Sequence, residues 1–331
     1  MSEPEPPLDP APRKTPSTAR VWAWRIVRVA VTAAAFAWVL SRVDLSEMGA
    51  AFLRVSWLSF ALAIGVTFVN LGLGTLRWRV LLSAYGAARA PSFAHLYRIY
   101  LIGFFYNIWL PGGVGGDVVR GVATRESFGA AGATAAVAVV FVERVLGLVG
   151  LLLIVGTSSI LYPIEGVEGL LLWSGIGIVA GVGAVLAIAI GRSLSGLLPG
   201  PLSRIAASLP RIERPAPFAL ALLLSLGTQT FVALTGHIFV ATLHPELSIA
   251  TSFVFVPIAM ATSYIPITAG GAGAREAAFQ ELYSHVGVSF EDATAASLML
   301  ISTYYLVGAI GGVLRLPSST AAPATTPDRR E

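Results

Sequence analysis

The chain has 331 residues, 55% of them hydrophobic and only 12% charged, with a mean hydropathy of +0.76. This is too apolar for an ordinary soluble domain and predicts an all-α polytopic membrane protein. The formal net charge of +4 comes from arginines, Lys14 being the sole lysine; in such a chain basic residues report orientation rather than nucleic-acid binding. The absence of cysteine excludes disulfides and thiolate metal sites.

Residues 1–20 carry Pro4, Pro6, Pro7, Pro10, Pro12 and Pro16 among mixed charges and read as a disordered tail. A first apolar segment runs over 21–40, with Arg25 and Arg28 near its start and Trp22 and Trp24 as interfacial anchors. No small-residue cleavage site follows it, so it reads as an uncleaved anchor. Residues 45–55 alternate as a short helix lying in the interface: Leu45, Met48 and Phe52 oppose Ser46, Glu47 and Arg54. Further spans are expected at 57–76, 93–110, 169–191, 217–241, 250–266 and 293–314, each near the ~20 residues that a bilayer requires. A helix over 129–161 would be roughly 50 Å long against a hydrocarbon core of about 30 Å. It also contains Glu143 and Arg144, so a break near that pair is expected, giving about eight transmembrane segments in all.

The loop charges ask for this extra crossing. Segments 77–92 (Arg77, Arg79, Arg89) and 192–216 (Arg192, Arg204, Arg211, Arg214) are basic, whereas 162–168 (Glu165, Glu168) and 242–249 (Glu246) have no Lys or Arg. With a cytoplasmic N-terminus, one added crossing puts the basic loops inside and makes halves 57–162 and 217–314 an inverted repeat. The folded domain is expected over 21–316, and a disordered tail over 317–331.

The repeat is visible in the residues. PGGVGGDVVR (111–120) and PITAGGAGAR (266–275) align without a gap, each opening on proline, carrying a glycine pair and closing on arginine. The glycines Gly112, Gly113, Gly115, Gly116, Gly270, Gly271 and Gly273 break the helices. Broken backbone at membrane depth survives only against protein or a water-filled cavity. Paired breaks in two halves mark a binding site between them.

Asp117 and Arg120 share a face on a helix starting at the first break, where free N–H groups and a guanidinium suit an anion. Arg275 and Glu276 occupy the corresponding place in the second copy, and Asn107 precedes the first. Two arginines on one cavity would grip a phosphodiester bidentately; the plainer alternative is that Asp117 and Arg120 pair with each other. Glu143 and Arg144 diverge by about 100° on a helix and need partners on other helices, for instance Arg144 with Asp117. His237 and His244 have helical spacing but no evident third metal ligand, and Gly177/Gly181 and Gly308/Gly312 have the spacing of helix contacts. Arg77 and Arg79, flanking Trp78, read as an interfacial anchor, and Tyr304 and Tyr305 as packing residues. No phosphate-binding P-loop, H-E-x-x-H or G-x-S-x-G motif occurs, and no cofactor, metal or enzymatic activity is expected.

The run 103–120, the stretch Glu143 to Leu148 and the Gly-Gly-x-Gly-x-Arg-Glu core at 270–276 resemble the transmembrane region of lysylphosphatidylglycerol synthases, over roughly residues 22–316. The resemblance implies a flippase-like domain, which in the bifunctional synthases moves aminoacylated phosphatidylglycerol between leaflets. Two features depart from it: no soluble aminoacyl-transferring domain is expected beyond the last span, and Ser302-Thr303 stand where an arginine is often found in the last helix. The expectation is an inner-membrane flippase for an anionic phospholipid, aminoacyl-phospholipid or lipid-linked precursor, with substrate-binding residues Asn107, Asp117, Arg120, Glu143, Arg144, Arg275 and Glu276. Two rivals are an intramembrane transferase using Asp117 or Glu143 as base, and a non-transporting subunit of a separate glycosyltransferase or lipid synthase.

Overall fold

The computed structural model describes residues 18–87, 90–109, 115–164, 167, 169–190, 193, 196, 211–264, 268 and 270–314. Most of both expected tails, Gly112 and Gly113, and the acidic pair Glu165 and Glu168 lie outside the described residues. Eleven α-helices and no strands occur among them: α1 Thr18–Leu40, α2 Leu45–Arg54, α3 Trp57–Ala84, α4 Phe93–Trp109, α5 Gly115–Ala123, α6 Gly132–Leu161, α7 Leu170–Ile190, α8 Pro215–Leu243, α9 Ile249–Ala261, α10 Ala274–Ser284 and α11 Phe290–Val313. Five of these helices are long and apolar enough to cross a membrane, six if the α1–α2 pair is one bent span. That pair turns by 85°, and Asp44 caps α2 by accepting from the Ser46 and Glu47 N–H groups, so α2 is the expected short helix lying across the bundle end.

The structure corrects the expected break at Glu143. α6 is one unbroken helix from Gly132 to Leu161, and the extra reversal lies instead between α4 and α5. α4 enters the bundle and α5 turns back alongside it: the Gly116 N–H donates to Asn107 Oδ1 at 2.8 Å, and a Cβ on Gly116 would stand 1.8 Å from the Gly103 carbonyl oxygen. α4 stops partway along α11, where the exposed Trp109 packs edge-on against Tyr305 with ring centroids 5.2 Å apart. The segment 93–110 is therefore one arm of a re-entrant hairpin rather than a crossing.

The second half repeats this construction. α9, carrying Pro257 within it, runs in, and α10 returns so that Tyr283 meets both Phe255 (centroids 5.2 Å) and Ser252 (3.1 Å). Gly271 and Gly273 adopt φ of +81° and +80° at the reversal, a region open to glycine; a Cβ on Gly273 would strike Ala35 of α1 at 2.5 Å. The expected span 250–266 is thus also a hairpin arm. Five crossings, or six with the bent α1–α2 pair, and two re-entrant hairpins account roughly for the eight segments expected, and the parity that the loop charges demanded is kept.

α3 and α8 form the central contact and run antiparallel. Ser59 meets Thr242 at one end (3.1 Å), Arg77 meets Ser225 and Thr228 further along, and the Ala84 carbonyl accepts from the Glu213 and Arg214 N–H groups at the other end. Helix pairs of the first half have counterparts in the second: α4 with α11 matches α9 with α6, α3 with α11 matches α8 with α6, and α5 with α6 matches α10 with α11. Equivalent helices that run oppositely define an inverted repeat. The outward faces, such as Leu58, Leu62, Trp173 and Val179, are apolar and exposed, as a lipid-facing surface requires. Small residues set the interior spacing: Gly177 and Gly181 lie against Leu152, and Gly308 and Gly312 against Trp109 and Phe105.

Gly116→Ala should be the most damaging one-methyl change in this scaffold, because the added carbon meets backbone rather than a movable side chain. Overpacking of this kind costs about 1–3 kcal/mol; the expected result is a clear fall in the thermal unfolding midpoint, with Gly65→Ala, where no atom lies within 4 Å, unchanged.

Candidate functional site

Between the two hairpins and the α3–α8 pair lies a cavity of about 330 Å³. Its charged wall comes from the first half: Arg77 of α3, Asp117 and Arg120 of α5, and Glu143 and Arg144 of α6. The second half supplies neutral groups, among them Gln229 of α8, Ser263 and Gly270 beside the second reversal, and Tyr304 of α11.

The charges are wired into one network. Glu143 accepts from Arg77 (2.9 Å) and Tyr100 (3.2 Å) on Oε1 and from Arg120 (2.6 Å) on Oε2. Arg120 also binds Asp117 Oδ1 at 2.8 Å, and Asp117 Oδ2 receives the Nε of Arg144. Asn107 links the network to the hairpin by donating to Asp117 (3.4 Å) while accepting from Gly116. Above Arg120 lie the faces of Tyr100 (4.7 Å) and Trp78 (5.3 Å), which favour a cation there. Glu143 and Arg120 are almost wholly buried, whereas the Arg144 side chain retains 36% of its exposure, so it is the cation most open to a ligand.

Local geometry explains the wiring. On α5 the three-residue spacing brings Asp117 and Arg120 onto one face. On α6 the adjacent Glu143 and Arg144 point apart, so one reaches α3 and the other reaches α5. The expected Arg144–Asp117 pair is present, and so is the Asp117–Arg120 pair. Neither acid is left unpaired in apolar surroundings, which is why α6 needs no break. Among the described lining residues, three guanidinium groups against two carboxylates leave one positive charge over.

Not every expected residue gathers here. Asn107, Asp117, Arg120, Glu143 and Arg144 do, Gly115 and Gly116 form the start of α5, and Gly270 lines the cavity. Arg275 and Glu276 are outside its lining, in a separate buried cluster. Arg275 pairs with Glu276 and approaches Ser297 (3.3 Å), and Glu276 accepts from the Gly273 N–H at 2.7 Å. One arginine from each half therefore does not converge on the cavity; the repeated arginine of the second copy braces its own reversal. Arg77, read as an interfacial anchor, is instead buried in the network. The span ending at 76 hid this, because α3 continues to Ala84 and carries Arg77 well inside the bundle. The surplus of acid and base in the apolar segments was the available signal, since Glu143 needed a second cation. His237 contacts Ser252, and His244 lies between Glu246 and Asp292, which also binds Arg54 of α2. The described residues hold no group of three His, Cys, Asp or Glu that could bind a metal.

An inverted pair of helical halves enclosing a charged cavity at two re-entrant breaks defines a polytopic membrane protein built around an internal polar site. Residues 25–312 match the model of the lysylphosphatidylglycerol synthase TM region, and the chain belongs to that family. A search of curated proteins gave no match.

Replacing Arg120 by Ala strands Glu143 with one fewer cation inside the bundle. Breaking a buried pair costs about 3–5 kcal/mol, so this variant should unfold at markedly lower temperature, whereas Arg144→Gln, at the open edge of the network, should stay within about 1 kcal/mol of the parent.

Proposed function

We propose that the chain is a flippase-like membrane protein that carries the headgroup of an anionic lipid between leaflets. The observation that carries this reading is the cavity itself: a net positive, partly solvent-accessible recess at the meeting point of two opposed hairpins, inside a bundle whose outer surface is apolar. A headgroup can be held there by the arginines while its acyl or prenyl chains remain in lipid. The inverted halves support alternating exposure, because exchanging their conformations would open the same recess to the other face.

Charge asymmetry supports an orientation. Arg79, Arg125, Arg211 and Arg214 outnumber Glu126 and Glu213 at the end of the bundle where α4, α6 and α8 begin, whereas Arg42 and Arg54 are outnumbered by Asp44, Glu47, Glu246, Glu281, Glu291 and Asp292 at the end where α9 and α11 begin. The arginine-rich end, with the N-terminus, is assigned to the cytoplasm of a cell inner membrane. Cysteines placed singly at 211 and 246 should label from the cytoplasmic and the outer side, respectively; the natural chain contributes no cysteine background. Equal labelling from one side would refute the orientation.

The functional test is headgroup translocation in proteoliposomes. Arg144→Gln should lower the rate at least tenfold without loss of thermal stability, whereas Arg275→Gln should lose stability first. Unchanged transport in a folded Arg144→Gln chain would remove the cavity as the route. Covalent product formation by the purified chain would instead favour an intramembrane transferase acting on the same lipid.

A further inference from the structure

Resting on the translocation reading, we infer that the cavity selects a monoanionic phosphodiester headgroup whose remaining part is neutral and hydroxylated, and that it rejects a headgroup carrying an aminoacyl ammonium group.

The argument begins with the acids. Asp117 and Glu143 are the two carboxylates among the described lining residues, and all four of their oxygens are engaged. Asp117 Oδ1 accepts from Arg120 and Asn107 and Oδ2 from Arg144; Glu143 Oε1 accepts from Arg77 and Tyr100 and Oε2 from Arg120. An incoming ammonium group would lose its hydration, find no carboxylate available, and meet a wall with a surplus positive charge. Burying an unpaired charge under those conditions is strongly unfavourable. One negative charge on the ligand, by contrast, brings the cavity to neutrality.

The rest of the lining fits what accompanies that charge. Asn70 Oδ1 is buried with no hydrogen-bond partner among the described residues, and Asn70 lines the cavity. Thr67, in the lining, gives its hydroxyl hydrogen to the Ala63 carbonyl at 2.8 Å, which leaves its oxygen as an acceptor. Gln229, held through Nε2 by the Gly147 carbonyl at 3.0 Å, keeps its amide oxygen as another acceptor, and Ser263 adds a hydroxyl. Uncharged acceptors at several points suit the hydroxyls of a glycerol, a cyclitol or a single sugar. At about 330 Å³ the cavity is near the small end of ligand sites, roughly 300–1,000 Å³, which suits one such unit beside the phosphate rather than an oligosaccharide.

The test is lipid competition on the full chain by native mass spectrometry, which reads binding without requiring transport. The probes are phosphatidylglycerol, phosphatidylinositol and a polyprenyl-phosphate hexose, each against lysylphosphatidylglycerol. At least one neutral-hydroxyl lipid should be retained tenfold or more over the lysyl form, and which one is retained separates a phospholipid from a prenyl carrier. Asn70→Ala should weaken that lipid's binding several-fold. Arg144→Glu turns the surplus of one positive charge into a deficit of one and should reverse the preference toward the lysyl lipid, with Arg144→Gln intermediate should the glutamate variant fold poorly. Equal or tighter binding of the lysyl lipid to the unaltered chain, or retention of none of the three hydroxylated lipids, would overturn the inference. Transport of lysylphosphatidylglycerol would sink the selectivity and leave translocation standing; selective binding without transport would do the reverse.

Discussion

Five ionised side chains sit together inside a bundle whose surroundings are hydrocarbon, and the rest of the architecture answers to that fact. An isolated charge at mid-bilayer costs about 2.5–3.5 kcal/mol even on the most lenient scales. Glu143 can therefore be kept on the continuous α6 helix only because Arg77 and Arg120 reach it from two other helices. The network in turn fixes where those helices lie: α3 must run deep enough to bring Arg77 across, and α5 must turn back beside α4 to present Arg120. The re-entrant hairpin is as much a device for delivering counter-charges as a break in a span.

Close backbone approach makes that delivery possible. Gly116 against Gly103, and Gly311 against the Leu101 carbonyl, let α5 and α11 press directly on α4, which leaves the side chains on the other faces free to point inward. The second half uses the same plan with different chemistry. There the arginine–glutamate pair is sealed around Ser297 and the reversal at Gly271 and Gly273, and serves the hairpin rather than the cavity.

Much of this was legible in the residues before any coordinates. The duplicated glycine motif pointed to the inverted halves, the loop charges demanded an odd parity between them, and the pairing of Arg144 with Asp117 followed from the cost of leaving either unpaired. What remained hidden depends on tertiary depth. Hydropathy cannot tell a hairpin arm such as α4, seventeen residues long and mostly apolar, from a crossing of nearly the same length. It also placed a break at Glu143 because it could not see that partners on α3 and α5 would pay for the charge. Arg77 was missed for the same reason: a basic residue at the end of an apolar window looks like an anchor until the helix is known to continue. The equivalence of Arg120 and Arg275 was correct as sequence and uninformative as function, since a repeated backbone role does not imply a repeated ligand role.

That last difference bears on energetics. The halves share a chain path but not an electrostatic one, since every ionised group among the described residues of the cavity wall belongs to the first half. Swapping the shapes of the two halves would thus not carry the molecule into its own mirror image in free energy. One pose must be the deeper well, giving an empty carrier a preferred side on which to wait, and cargo or membrane voltage would act against that tilt rather than on a level balance.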